Sequence, residues 1–192
     1  MNRMKTALLF AAMTISSVVM SQTVYTIDTD ESVIEWKGEK IVGNGHTGTI
    51  QFSEGNLNMK GDKLVGGTFV ADMNTIKEGS ERLVGHLKSD DFFSVATYPT
   101  AELTITKIGK GKSGEALVTA NLTIKGKTEV VTFPAILKLD GDNLLATAEL
   151  TFDRSKFDVR YGSNSFFDNL GDKAIKNEIV VNVKVKASKA AM

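Results

Sequence analysis

Cysteine is absent from the 192 residues. No disulfide can stabilise the chain, and no thiolate can bind a metal. Histidine is nearly absent too. His46 and His86 stand far apart, without an H-x-x-x-H spacing, so no transition-metal ligand set can be read. Net charge is the third absence. The 23 basic residues are matched by 23 acidic ones, and no basic run is dense enough to follow a phosphate backbone. Nucleic acid is therefore excluded as a partner. No internal repeat, low-complexity tract or linker divides the chain, and its length suits one domain.

What is present begins with a leader. Arg3 and Lys5 give a positive start, and Thr6 to Met20 is apolar. Val19 and Ser21 place small residues at positions −3 and −1 of a signal-peptidase site. Residues 1–21 are read as a signal peptide, cleaved after Ser21. The run is shorter than the ~20 apolar residues a membrane span needs, and without cysteine there is no lipoprotein anchor. The expected location is periplasmic or secreted, with no stable membrane span. A mature chain starting at Gln22 must rely on its core, and at this length it can bury roughly 70% of its unfolded surface.

Beyond the leader, apolar residues recur with period two, the mark of half-buried strands. Ile34 and Trp36 share a face against Glu35 and Lys37. Ile50 with Phe52, Leu57 with Met59, and Phe69 with Ala71 and Met73 follow. Ala101, Leu103 and Ile105 alternate next. The cleanest series are Val118 to Ile124, Val131 to Leu139, Leu144 to Phe152 and Ile179 to Ala187. Short turns join them, such as Lys125-Gly126-Lys127 and Asp140-Gly141-Asp142-Asn143. Eight or more long strands in up-and-down order predict a lipocalin-like antiparallel β-barrel of about eight strands, which leaves no exposed edge. Inward alanines at 71, 101, 120, 135, 146 and 148 favour an interior with room for a ligand.

Two segments break the alternation. Thr75 to Pro99 reads as a short helical insert, and Arg154 to Asn177 as a long loop of the kind that is often functional. Each carries a phenylalanine pair, Phe92-Phe93 and Phe166-Phe167, and both are expected to cover one end of the barrel. Catalytic chemistry has little support. His86, Ser89 and Asp90 lie in one local stretch without a G-x-S-x-G elbow, and turn capping explains the serine and aspartate. Asp90-Asp91 reads as a solvated turn. Asp140 to Asn143 lacks the glutamate that would close a calcium loop. The glycines around His46 follow no strand-to-helix order that cradles phosphate. No catalytic residue and no metal site are assigned.

The stretch GHLKSDDFFSVATYP, Gly85 to Pro99, resembles the H-L-[KR]-S-x-D-F-F-x-x-x-x-Y-P signature of the YceI-like family, the periplasmic polyisoprenoid-binding proteins. TANLTIKGKTEVVTFPAIL resembles the family's G-x-L-T-I-x-G-x-T-x-x-V strand pair, with Ala120 and Asn121 where glycine is commoner. LTFDRSKFDVRYG resembles its R-x-x-F-G-V segment, with Asp158 in the glycine position. The similarity runs from about residue 24 to 187. Asp28 to Ser32 departs from it by lacking a histidine, and Arg82-Leu-Val-Gly-His86 by altering an R-D pair.

The resemblance implies a barrel that holds a long isoprenoid or similar amphiphile, without enzymatic activity. Trp36, Phe69, Leu103, Leu122, Phe133 and Phe152 are then expected as tunnel wall, and Phe92, Phe93, Phe166 and Phe167 as mouth or lid. Arg82, His86, Lys88 and Arg154 become candidate head-group contacts. No cofactor is expected beyond a bound isoprenoid lipid or quinone, and a homodimer is an open alternative to a monomer. Two rival readings remain at this stage. One is a stress-response interaction module with a packed barrel and no lipid. The other is an enzyme acting on a held lipid through His86.

Overall fold

A computed structural model of the protein describes residues 22–190, so the expected leader and its cleavage site lie outside the described residues. Among the described residues nine strands form: β1 (Gln22–Ile27), β2 (Val33–Lys40), β3 (His46–Lys60), β4 (Lys63–Lys77), β5 (Thr100–Lys110), β6 (Ala116–Ile124), β7 (Lys127–Asp140), β8 (Asn143–Asp153) and β9 (Ile175–Lys189). The helix α1 (Glu81–Lys88) lies between β4 and β5. From β2 to β9 each strand pairs antiparallel with the next, and β9 pairs back onto β2, closing a barrel.

The nine strands fill eight positions in the wall. β2 pairs with the first residues of β3, His46 to Ile50, whereas β1 pairs with its last, Asn56 to Lys60. Both also border β9. The first two strands therefore lie end to end. At the break, the Asp28 carboxylate accepts from the amides of Asp30 and Glu31 at 3.0 and 3.1 Å. Buried Ser32 donates to the Lys186 carbonyl and accepts from the Lys186 amide, replacing the interrupted ladder.

Alternation decides which side chains face inward. Val118, Ala120, Leu122 and Ile124 of β6 and Val131, Phe133 and Ala135 of β7 are buried, as their spacing predicts. β3 is different. Its buried residues are Ile50 and Phe52 in the first half but Leu57 and Met59 in the second, a change of parity. The pairing register with β4 shifts between Phe52 and Glu54, and this bulge rotates the strand. Two apparent strands are one.

The hairpins follow their turn residues. Lys125 and Gly126, both at positive φ (50° and 69°), make the two-residue β6–β7 connection, the geometry of a type I′ turn. Gly61 and Gly141 supply positive φ in the β3–β4 and β7–β8 turns.

The two inserts are shorter than the sequence suggested. β4 continues through Lys77, so the first insert begins at Glu78 rather than Thr75, and β9 begins at Ile175 rather than after Asn177. Thr75 was hard to place because β4 is irregular there. Asp72 folds the chain over Asn74 and Thr75, and the Gln51 amide donates to Thr75 Oγ1 instead of a strand carbonyl. Both inserts connect strand ends at the same end of the barrel, as expected.

Candidate functional site

The barrel encloses a cavity of about 420 Å³, within the range of ligand sites. Its far half is lined by Leu57, Leu64, Val118, Ala135, Leu137 and Val185, with Thr147 the polar exception. The eight wall and mouth residues Trp36, Phe69, Phe92, Phe93, Leu103, Leu122, Phe133 and Phe152 all line it. Five of the six inward alanines do so too; Ala120 is fully buried in the wall instead. The charged lining residues and both histidines gather at the mouth: Glu39, Lys40, His46 and Glu102 at strand ends, and His86 on α1.

The mouth is roofed from two sides. Helix α1 starts where Ser80 Oγ accepts from the Leu83 amide, while the Ser80 amide donates to Glu78 Oε2 at 2.6 Å. It stops where Ser89 donates to the His86 carbonyl through both its amide and Oγ, at 3.1 and 2.7 Å. Ser89 thus closes a helix by donating to a carbonyl, rather than capping a turn by accepting from free amides. The chain then curls back: the Phe93 and Val95 amides donate to the carbonyls of Leu87 and Lys88. That curl turns Phe92 into the barrel, where it is buried.

The second side is the segment between β8 and β9, organised by Arg154. Its guanidinium is fully buried and donates to four backbone carbonyls, those of Val159, Tyr161, Ile175 and Lys176, at 2.8 to 3.2 Å. Burial pulls its pKa below the ordinary value, and nearby Asp153 opposes the change. The Phe92 ring centre lies 5.7 Å from the guanidinium carbon. Arg154 is a staple for the loop that carries Tyr161, and it does not line the cavity.

The remaining head-group candidates separate. His86 lines the cavity. Lys88 donates to the Asn74 carbonyl at 2.7 Å, and Arg82 is exposed on α1; neither borders the cavity. Phe166 and Phe167 are also outside it, 38% and 48% exposed, with Arg160 5.1 Å above the Phe166 ring. The expected closure of the mouth by the second segment is made by Tyr161, whose ring meets those of His86 and Phe92. Sequence reasoning missed it because Tyr161 sits in irregular backbone, where no periodicity marks a facing direction.

Two residues that line the cavity each carry a buried nitrogen with no partner among the described residues. Trp36 Nε1 and His86 Nε2 are both buried and unbonded. Trp36 lies across Gly48 on β3, where an added Cβ would sit 2.6 Å from the indole and collide with the Lys77 carbonyl. At the rim, Glu39 accepts from Lys37 and Lys176 at 2.6 and 2.7 Å, which lowers its pKa to about 2. His46 Nδ1 lies 3.2 Å from Glu78 Oε1.

A closed antiparallel barrel around an apolar cavity with an aromatic-roofed mouth defines the class: a single-cavity β-barrel of the lipocalin-like type. The YceI-like domain profile matches residues 25–187, and the chain belongs to that family. It is 27% identical over 137 residues to Protein YceI of Salmonella arizonae, covering 71% of this chain and 68% of that protein. Among solved structures it resembles Burkholderia cenocepacia BcnA with a TM-score of 0.72 at 22% identity, over 84% of this chain and 99% of the other. A polyisoprenoid-binding domain from Saccharophagus degradans, implicated in plant cell wall breakdown, superimposes with a TM-score of 0.67 at 17% identity, over 86% and 98% of the two chains.

Proposed function

We propose that this protein is an exported, non-enzymatic carrier that holds the tail of an isoprenoid or similar amphiphilic lipid in its barrel. The observation that carries the reading is the apolar cavity whose charged lining residues all gather at the mouth. Tail burial supplies affinity at roughly 0.8 kcal/mol per methylene, before the ordering costs of binding. The family membership and the polyisoprenoid-binding neighbour support a lipid as cargo. The leader read in residues 1–21 supports export to the periplasm or beyond. Trp36, Phe69, Leu103, Leu122, Phe133 and Phe152 serve as wall in this reading, with Phe92, Phe93 and Tyr161 as gate.

The test is native mass spectrometry with organic extraction on protein purified gently from the exported fraction. A discrete isoprenoid adduct is expected. A clean apo mass, unchanged after incubation with isoprenoid lipids, would overturn the carrier reading.

A further inference from the structure

Every exposed tyrosine and phenylalanine among the described residues lies at the mouth end of the barrel. They are Tyr98, Tyr161, Phe166 and Phe167. Two aliphatic residues of the β2–β3 connection join them there, Ile41 and Val42, 50% and 55% exposed. The opposite end is turned with charge: Asp62, Lys63, Lys110, Lys112, Asp140 and Asp142 are all exposed. Its exposed apolar side chains, Val65 and Leu139 among them, are aliphatic and lie on strands. The barrel is thus polarised along its axis.

Hydrogen bonds fix the apolar group around the opening. The Ile41 amide donates to the Ala174 carbonyl at 3.0 Å, and the Ile175 amide to the Gly162 carbonyl at 2.7 Å. Asn177 Nδ2 donates to Ser165 Oγ at 2.7 Å. Ile41-Val42 and the stretch from Tyr161 to Phe167 therefore flank the first residues of β9. Tyr98 stands farther round the same end, its ring against Gly126 of the β6–β7 turn. The surface runs into the interior without a break, because Lys40, Tyr161 and Ile175 all line the cavity.

Scattered apolar side chains are ordinary on a protein surface, but a group of them around one opening marks an interaction site. Its chemistry favours a bilayer. Exposed rings on loops can enter the boundary between head groups and acyl chains, where the tyrosine hydroxyls stay wet. A membrane is also where an amphiphilic cargo resides, and contact there spares its tail a passage through water. Charge adds little. Lys40, Arg160 and Lys173 are matched by Asp158, Asp168 and Asp172 across the segments that carry these residues.

We propose that the mouth end docks on a lipid bilayer by inserting Ile41, Val42, Phe166 and Phe167, and that the cargo enters the barrel from that surface. This rests on the carrier reading and adds to it the place where the cargo is collected. Insertion is apolar, so an uncharged, zwitterionic membrane suffices.

The test floats mature protein with phosphatidylcholine vesicles on a density gradient. Uptake of an isoprenoid-tailed benzoquinone is followed by native mass spectrometry, once from those vesicles and once from cyclodextrin. Flotation is expected, little changed between about 0.1 and 0.5 M salt because screening weakens only charge contacts. The double variant Val42→Asp/Phe167→Asp should float about tenfold less and load from vesicles correspondingly more slowly. Both positions are exposed and neither borders the cavity, so its melting temperature and its uptake from cyclodextrin should match the parent's. Val65→Asp, an equally exposed change at the other end, should float like the parent. Uptake from cyclodextrin without flotation would overturn the docking surface and leave the carrier reading intact. So would flotation unaffected by the double variant, flotation that needs anionic lipid and vanishes in salt, or a protein dimer that Phe167→Asp dissolves. Flotation without uptake by either route would overturn the carrier reading, and cargo entry with it.

Discussion

The His86 imidazole meets the Tyr161 ring edge-on, 4.3 Å between centroids and 82° between planes. One residue belongs to α1 and the other to the segment after β8, so this contact ties the two halves of the mouth. Phe92, from the first half, stands 5.8 Å from His86 and 6.1 Å from Tyr161, completing an aromatic trio.

Tyr161→Ala should open the mouth. An edge-to-face pair contributes about 0.5–1.5 kcal/mol beyond its buried area. Tyr161 is 46% exposed, so the global cost is small, a fall in Tm of about 2–4 °C. The larger effect is kinetic: lipid exchange between protein and vesicles, followed by stopped-flow fluorescence, should accelerate several-fold.

Two buried alanines should respond in opposite ways to the same substitution. Ala135 faces the cavity, so Ala135→Phe has room and should abolish lipid uptake with little loss of stability. Ala120 is fully buried without bordering the cavity. Ala120→Phe should overpack the wall and destabilise by about 1–3 kcal/mol or more. Urea unfolding alongside lipid titration separates the two outcomes.

Arg154→Met removes the donors to four backbone carbonyls, of which the contact to Val159 is fully buried and the other three partly so. Stranded carbonyls cost about 1–3 kcal/mol each where water cannot reach them, so a loss of at least about 3 kcal/mol in urea unfolding is expected. Arg154→Lys should rescue little, because a compact ammonium cannot reach four carbonyls spread around a planar fork. Preserved stability in both variants would remove Arg154 from its structural role.

Acid should loosen the roof. The Glu78 carboxyl is held below its ordinary value of 4.5, first by the Ser80 amide and then by His46. Because its folded pKa is depressed, its stabilising contribution is complete above the unfolded value and is lost as pH falls through the folded one. Protection factors of the first amides of α1, which normalise for intrinsic exchange, should therefore be constant near neutrality and fall below about pH 4.5. In Glu78→Gln this acid-dependent fall should flatten.

The outline of the barrel was legible because period-two alternation is imposed by the chain itself: β6, β7, β8 and β9 bury or half-bury the residues their spacing assigns, except exposed Leu139 at the end of β7. The hairpin turns were legible for the same local reason, glycine at positive φ. So were the six strand residues Trp36, Phe69, Leu103, Leu122, Phe133 and Phe152 that border the cavity, because inward parity on a closed sheet leaves them nowhere else to point, whereas Phe92 and Phe93 reach it through the curl after α1. Legibility ended where contacts between distant segments decide. The bulge that reverses β3, and the end-to-end placement of β1 and β2, depend on pairing with β4 and β9. Arg154 resembled a head-group ligand because a lone cation in a loop gives no sign of its partners; folding brings it four carbonyls. Phe166-Phe167 and Tyr161 exchanged roles for a related reason. Irregular backbone has no periodicity, so only its packing against α1 determines which aromatic ring faces the mouth.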